Sequence, residues 1–281
     1  MALVQLGVRS GTLKVPGAQL YYEAQGLGPV LLMIPGGPAD AGIFAPLAAL
    51  LAGRYTVVRY DPRGNSRSTL DGPPRMQNMD EHGDDAALLL AVFGSAPAFV
   101  LGSSGGAQIG LNLAARHPER VAALVAHEPP CMGLLPPDAE VSAFVKEVGE
   151  IYKSQGAGPA MRRFAVGAGL GGQRPADAVP PAAEITEAMA RMQANLDYFF
   201  SCGFQPLGQF VPDVKTLRAG EPCILVGVGE NSARQLPARA ATALAGQLGV
   251  ESVAFPGGHA GYNEYPNAFA EKLRSVLHGA A

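Results

Sequence analysis

Short apolar runs alternate with amphipathic stretches along this chain, and that rhythm constrains the fold more than any other feature. A buried run followed by a 3.6-residue apolar period is the pattern of a strand feeding a helix that packs back over the sheet. The chain therefore reads as an α/β fold, βαβ units around a mostly parallel central sheet flanked by helices. Strands are expected at 19–24, 30–34, 55–60, 98–101, 121–126, 223–228 and 252–255, and helices at 41–51, 79–93, 108–116, 236–248 and 267–277.

The rhythm breaks between Pro129 and Leu217. Helical patterns at 139–154 and 183–200 flank a Gly/Pro/Ala-rich stretch, 156–181. The expected organisation is a core domain of residues 1–128 and 218–281 carrying an inserted helical cap at 129–217. Parallel sheets bind ligands beyond the carboxyl ends of their strands, which is where an insertion leaving such an end would lie. With 281 residues, 48% of them hydrophobic, one capped domain accounts for the length better than a tandem.

A formal net charge of -3 leaves no basic stripe to neutralise phosphates, which argues against a nucleic-acid partner. The start, Met-Ala-Leu-Val-Gln-Leu-Gly, has no basic residue before an apolar run, and no segment is apolar for long enough to span a bilayer. A soluble, cytoplasmic chain with no membrane partner is expected. Cys131, Cys202 and Cys223 show no C-x-x-C spacing and are expected to be buried thiols rather than a disulfide framework or zinc site. Assembly into a homo-oligomer is left open.

Gly102-Ser103-Ser104-Gly105-Gly106 fits G-x-S-x-G, the turn that lifts a serine hydroxyl above a sheet. With 36 glycines in the chain, about 0.2 such matches arise by chance, so context decides. The context is a strand pattern immediately before and a helical pattern immediately after, and Ser104 falls at the apex where Ser103 does not. Acyl transfer also needs two N–H donors for an oxyanion. Gly105 follows the serine, and Gly37 in Ile34-Pro35-Gly36-Gly37-Pro38, after the 30–34 strand, is the expected second donor. Asp61-Pro62-Arg63-Gly64-Asn65-Ser66 follows another strand; Arg63 there could hold a substrate group, but a structural turn is the favoured reading.

Among His82, His117, His127, His259 and His278, only His259 joins a preceding strand to a glycine-rich loop, Phe255-Pro256-Gly257-Gly258-His259-Ala260-Gly261. Such a loop can carry an imidazole back over the elbow to take the serine proton. His117, at the end of a helix, is expected at the surface. The third member would ordinarily be an Asp after the 223–228 strand, yet that loop reads Gly229-Glu230-Asn231-Ser232-Ala233, with Ser232 where the Asp would stand. The neighbouring exit, His127-Glu128-Pro129-Pro130, offers Glu128, which also keeps the order serine, acid, histidine. Glu128 is favoured over Glu230.

These motifs resemble those of the zearalenone lactonases, α/β-hydrolases that open a macrocyclic lactone. The shared residues are the Gly102-Ser103-Ser104-Gly105 elbow, His127-Glu128-Pro129-Pro130, Pro256-Gly257-Gly258-His259 followed by Tyr262, and Asp61-Pro62-Arg63-Gly64-Asn65-Ser66-Arg67-Ser68. The resemblance implies the α/β-hydrolase fold, a Glu as the acid at position 128, and lactone opening. It covers both flanks of the core and hardly touches the cap. The lactonases set a cap tryptophan against their aromatic lactone, whereas this chain has no Trp, and Gly105 replaces an elbow Ser.

The expectation is a serine hydrolase of a small-molecule ester or lactone, with Ser104, His259 and Glu128 as triad and Gly37 and Gly105 as oxyanion donors. No cofactor and no metal is implied. A non-hydrolytic binding protein on the same fold, and a carbon–carbon hydrolase or acyltransferase on the same triad, are the alternatives. Epoxide and haloalkane hydrolysis are disfavoured because they want a carboxylate nucleophile where Ser104 stands. Phe164, Met189, Met192, Tyr198, Phe199 and Phe204 are candidates for an apolar pocket or for the core of the cap.

Overall fold

The computed structural model describes residues 7–137, 139–170 and 175–280. The strands run β1 (Arg9–Val15), β2 (Ala18–Gln25), β3 (Val30–Ile34), β4 (Thr56–Tyr60), β5 (Thr69–Leu70), β6 (Ala98–Ser103), β7 (Val121–His127), β8 (Cys223–Gly229) and β9 (Val253–Phe255). They form one sheet in the order β1-β2-β4-β3-β6-β7-β8-β9, with β5 paired to β2. The pairs from β4 through β9 are parallel, and β2 runs antiparallel to β1, β4 and β5.

The helices are α1 (Ala45–Leu51), α2 (Met79–Val92), α3 (Gly105–Arg116), α4 (Ala139–Gln155), α5 (Ala157–Gly167), α6 (Ala183–Ala194), α7 (Leu196–Tyr198), α8 (Phe204–Gln209), α9 (Val214–Ala219), α10 (Leu236–Leu248), α11 (Gly261–Glu264) and α12 (Pro266–Gly279). Strand alternation sorts the core into two layers. Leu32 and Ile34 of β3, with Val100, Leu124 and Val226, face residues of α2, α3 and α10. Leu31 and Met33, with Val57, Leu101 and Val125, face α1 and α12, where Phe269 and Leu273 are fully buried. Central strands are covered on both sides, which is why they read as continuous apolar runs. Each such Leu, Ile or Phe contributes about 2 kcal/mol by leaving water.

All seven expected strands form. β1 was not expected: Arg-Ser-Gly-Thr-Leu-Lys-Val is an edge strand, mostly exposed, so it carries no apolar run. Between β7 and β8 the regular elements among the described residues are all helices, joined by loops. There the 156–181 stretch contains α5, a helix that its glycines and proline hide from a propensity reading. Gly156, at φ 89, ends α4 and caps α5, Pro159 sits in the first turn where it costs no hydrogen bond, and Ala157 and Ala160 are buried. The expected 183–200 helix breaks at Asn195 and continues through α7 into a π-helical turn, Phe199–Gly203. Phe144, Val148, Leu196, Phe199, Phe200 and Leu236 form a small separate core for this segment. Cys131 and Cys202 are buried and Cys223 is half-buried. No helix among the described residues is long and apolar enough to cross a membrane.

Candidate active site

The elbow forms because two glycines let a strand and a helix come closer than any side chain would allow. A Cβ on Gly102 would stand 2.4 Å from Gly106 O, and one on Gly106 would stand 2.0 Å from Ile34 O. Between them Ser104 takes φ 56 and ψ −126 at the start of α3, and its N–H donates to His127 O at 2.9 Å. Such a backbone costs about 1–3 kcal/mol in a non-glycine residue and persists only where its surroundings enforce it.

The loop after β3 approaches the same point. A Cβ on Gly36 would lie 2.7 Å from Ser104 Cβ and 2.8 Å from Gly105 N, and one on Gly105 would lie 3.1 Å from Gly37 N. The Gly37 and Gly105 amides thus come together beside Ser104, at the positive end of the α3 dipole. A small space of about 10 Å3 lies against them, room for about one water molecule, bounded by Gly37, Asn65, Gly105, Ile109 and Leu207 among others.

On the other side, the Gly257-Gly258 turn after β9 brings His259 Nδ1 to 2.6 Å from Glu128 Oε2. Glu128 is fully buried and has φ 48. Its strained backbone donates its N–H to Gly227 O at 2.9 Å, and its side-chain Oε1 accepts from Gly229 N at 2.8 Å and from the Ser232 hydroxyl. Burial alone would raise the Glu128 carboxyl, but the His259 hydrogen bond and charge, with His127 and the Ser232 hydroxyl, outweigh it and hold the group below its ordinary range. Glu230 is exposed, and its N–H is spent on Phe255 O.

The missing Asp after β8 now has a structural counterpart. β7 and β8 are parallel neighbours, so the exits carrying Glu128 and Ser232 open onto one point. Glu128 supplies the carboxylate from one exit and Ser232 a hydroxyl donor from the other. The signal for Ser232 was its position alone; that it would bond Glu128, 104 residues away, was not legible.

The remaining candidates have other partners. Arg63 pairs with Asp85 through two bonds of 2.7 Å, as a structural turn would have it. His82 is buried with Nε2 at 3.1 Å from Gln77 Oε1, and His278 is exposed. His117, just past the end of α3, is part-exposed at the surface with its Nε2 2.7 Å from the part-exposed Asp84. Met189 is exposed and Met192 packs on the sheet layer, whereas Phe164, Phe199 and Phe204 join the core of the helical segment.

His127 lies beneath the site, fully buried among Phe255, Tyr262 and Phe269, with ring centroids 5.4–6.4 Å away. Burial pushes its imidazole down to about 4 against the pull of Glu128. The unfolded chain protonates this group near 6.5, so it binds the extra proton throughout the window from about 6.5 to about 4. Folding stability therefore rises with pH across that window and falls on acidification. His82, pushed down to about 3, and the lowered Glu128 add slope of the same sign towards the acid end. The melting temperature is expected to drop as pH goes from 6.5 to 4, less steeply in His127→Leu. Parallel acid limbs in the two proteins would contradict this account.

Residues 29–200 match the family described as the alpha/beta hydrolase fold. The uncharacterized hydrolase YraK of Bacillus subtilis (strain 168) is 37% identical over 276 residues, covering 96% of this chain and 96% of its own. Among solved structures, a hydrolase from Pseudomonas aeruginosa PA01 superposes with a TM-score of 0.73 at 22% identity, covering 96% of this chain and 98% of the other. A thermophilic esterase from Thermogutta terrifontis superposes with a TM-score of 0.73 at 19% identity, covering 97% and 99%. At such identities the two structures speak to the fold. With the parallel sheet, the serine elbow after β6 and a relative matched along nearly its whole length, the chain belongs to the α/β-hydrolase fold family.

Proposed function

We propose that this protein is a serine hydrolase that cleaves a carboxylic ester or lactone through an acyl-serine intermediate. Ser104 Oγ attacks the carbonyl carbon while His259 Nε2 takes its proton. The tetrahedral oxyanion is held by the Gly37 and Gly105 N–H groups. His259 then returns the proton to the departing alkoxide, and water, deprotonated by the same imidazole, attacks the acyl-serine and frees the acid. Glu128 accepts from Nδ1–H and so keeps Nε2 facing Ser104. No step calls on a metal or cofactor. Preorganised donors of this kind are worth about 2.7–4 kcal/mol each.

The observation that carries the reading is the 2.6 Å Glu128–His259 pair, in a chain whose Ser104 is strained at a helix start beside the Gly37 and Gly105 amides. The motifs shared with the zearalenone lactonases favour a lactone within the ester class. Residues 129–217 act in this reading as the cap, and its Phe199 and Leu207, which stand within 3.6 Å of Cβ positions on Gly37 and Gly105, make the wall of the pocket apolar. We assign the chain to the cytoplasm.

A short-chain p-nitrophenyl ester in excess over enzyme tests this directly. Release of about one equivalent of p-nitrophenol per chain, ahead of a slower steady rate, is the expected signature of acyl-serine accumulation. Ligand binding without any product would transfer the pocket to a receptor role. A panel of esters and lactones of graded size then identifies the substrate.

A further inference from the structure

Asn195 lies in the helical segment between β7 and β8, far in sequence from every residue assigned to catalysis, yet its side chain reaches the loop that carries Gly37. We infer that Asn195 is a positioning residue of the oxyanion hole, so that docking of the cap and assembly of the hole are one event. The inference rests on the hydrolase reading above.

The loop of residues 35–40 has little to hold it by itself. Gly36 and Gly37 are adjacent, Gly37 has φ 56, and the backbone bond within the loop is Ala39 N–H to Gly36 O at 3.1 Å. Three successive carbonyls of this loop are instead taken by side-chain amides from outside. Asn65 Nδ2 donates to Gly37 O at 3.1 Å and to Ala39 O at 3.0 Å. Asn195 Nδ2 donates to the one between them, Pro38 O, at 2.7 Å, and to Ser66 Oγ at 2.9 Å. Pro38 C=O and Ala39 N–H share one peptide plane, and that N–H donates to Gly36 O, whose plane carries the Gly37 N–H; holding Pro38 O therefore holds the Gly37 N–H beside Gly105 through one hydrogen bond.

The amide of Asn195 cannot be turned round. The Ser66 N–H, a donor only, lies 2.8 Å from Oδ1, which leaves Nδ2 to face Pro38 O. Asn195 is itself buried, so each of its bonds is made away from water. It ties the 61–68 loop to the 35–40 loop, and does so from the helical segment, which neither loop belongs to. One turn earlier, Arg191 pairs with the buried carboxylate of Asp40, at the far end of the same loop. One turn later, the Phe199 ring reaches 3.6 Å from a Cβ position on Gly37. The segment therefore meets the oxyanion loop at three successive turns, with Asn195 at the middle one.

A positioning role predicts a loss confined to oxyanion stabilisation. A p-nitrophenyl ester and its thiono counterpart, with C=S in place of C=O, differ in how much they gain from N–H donors, because sulfur is the poorer acceptor. Asn195→Asp is nearly isosteric and keeps Oδ1 for Ser66 N–H, but sets an acceptor against Pro38 O. It is expected to lower kcat for the oxo ester about 10-fold or more, with KM within about threefold and the thiono ester little changed, so the oxo-to-thiono ratio of kcat/KM collapses. Asn195→Ala should do the same. Val148→Ala opens a void in the helical segment's own core and removes no contact to the 35–40 loop; it is expected to lower the melting temperature and leave the ratio at the wild-type value. Melting curves establish that each variant is folded, and Asn195→Asp carries the test if Asn195→Ala is not. A wild-type ratio in Asn195→Asp, or equal losses on both esters, overturns the inference while the hydrolase reading stands. A wild-type enzyme that hydrolyses no ester overturns both.

Discussion

Ser104→Ala is expected to lower kcat/KM for any ester substrate by at least about 10^4-fold. The hydroxyl oxygen is the sole heavy atom that the substitution removes, and in the proposed mechanism it is the attacking atom. What remains is the oxyanion hole and binding, which alone accelerate attack by water only modestly. Stability is expected to change by less than about 1 kcal/mol, since Ser104 is part-exposed and the φ of 56 that strains a serine strains an alanine equally. Steady-state kinetics alongside a melting curve check both halves. A folded variant keeping more than about one hundredth of wild-type turnover would sink the nucleophile assignment.

Glu128→Gln is expected to cost about 10^3–10^4-fold in kcat with little change in KM. The substitution is isosteric, and an amide Oε1 can still accept from Gly229 N and the Ser232 hydroxyl. The loss comes from the other atom. An Nε2 amide at the Oε2 site donates to His259 Nδ1, which forces the proton onto the imidazole nitrogen that should receive it from Ser104. Nothing then deprotonates the nucleophile. Glu230→Gln, on the exposed loop after β8, should behave as wild type. The reverse pattern, with Glu230→Gln inactive and Glu128→Gln active, would move the acid to that loop.

The two substitutions probe features that were legible in the chain to different degrees. The elbow at 102–106 was, because its requirements are local: a strand, small residues and a helix in immediate succession. His259 was legible for the same reason, as a histidine in a glycine turn after a strand. Glu128 was singled out by the absence of an Asp after β8, by its place at the neighbouring strand exit in the order serine, acid, histidine, and by the lactonase resemblance, while Glu230 stood as its rival. The β1 strand and α5 escaped notice because an exposed edge and a glycine-flanked helix do not show the apolar period on which such reading depends.

Sequence alone determined the alternation of elements, the mostly parallel sheet, the position of the serine turn and the candidates around it, since each follows from residues within a few positions of one another. Tertiary structure decided which carboxylate meets His259, what Ser232 bonds, and that Asn195 clasps the loop of residues 35–40. Those pairings join residues 131, 104 and 157 positions apart. Their partners are chosen by which strand exits lie side by side in the sheet and by where the helical segment docks, and neither is written in any local stretch of chain.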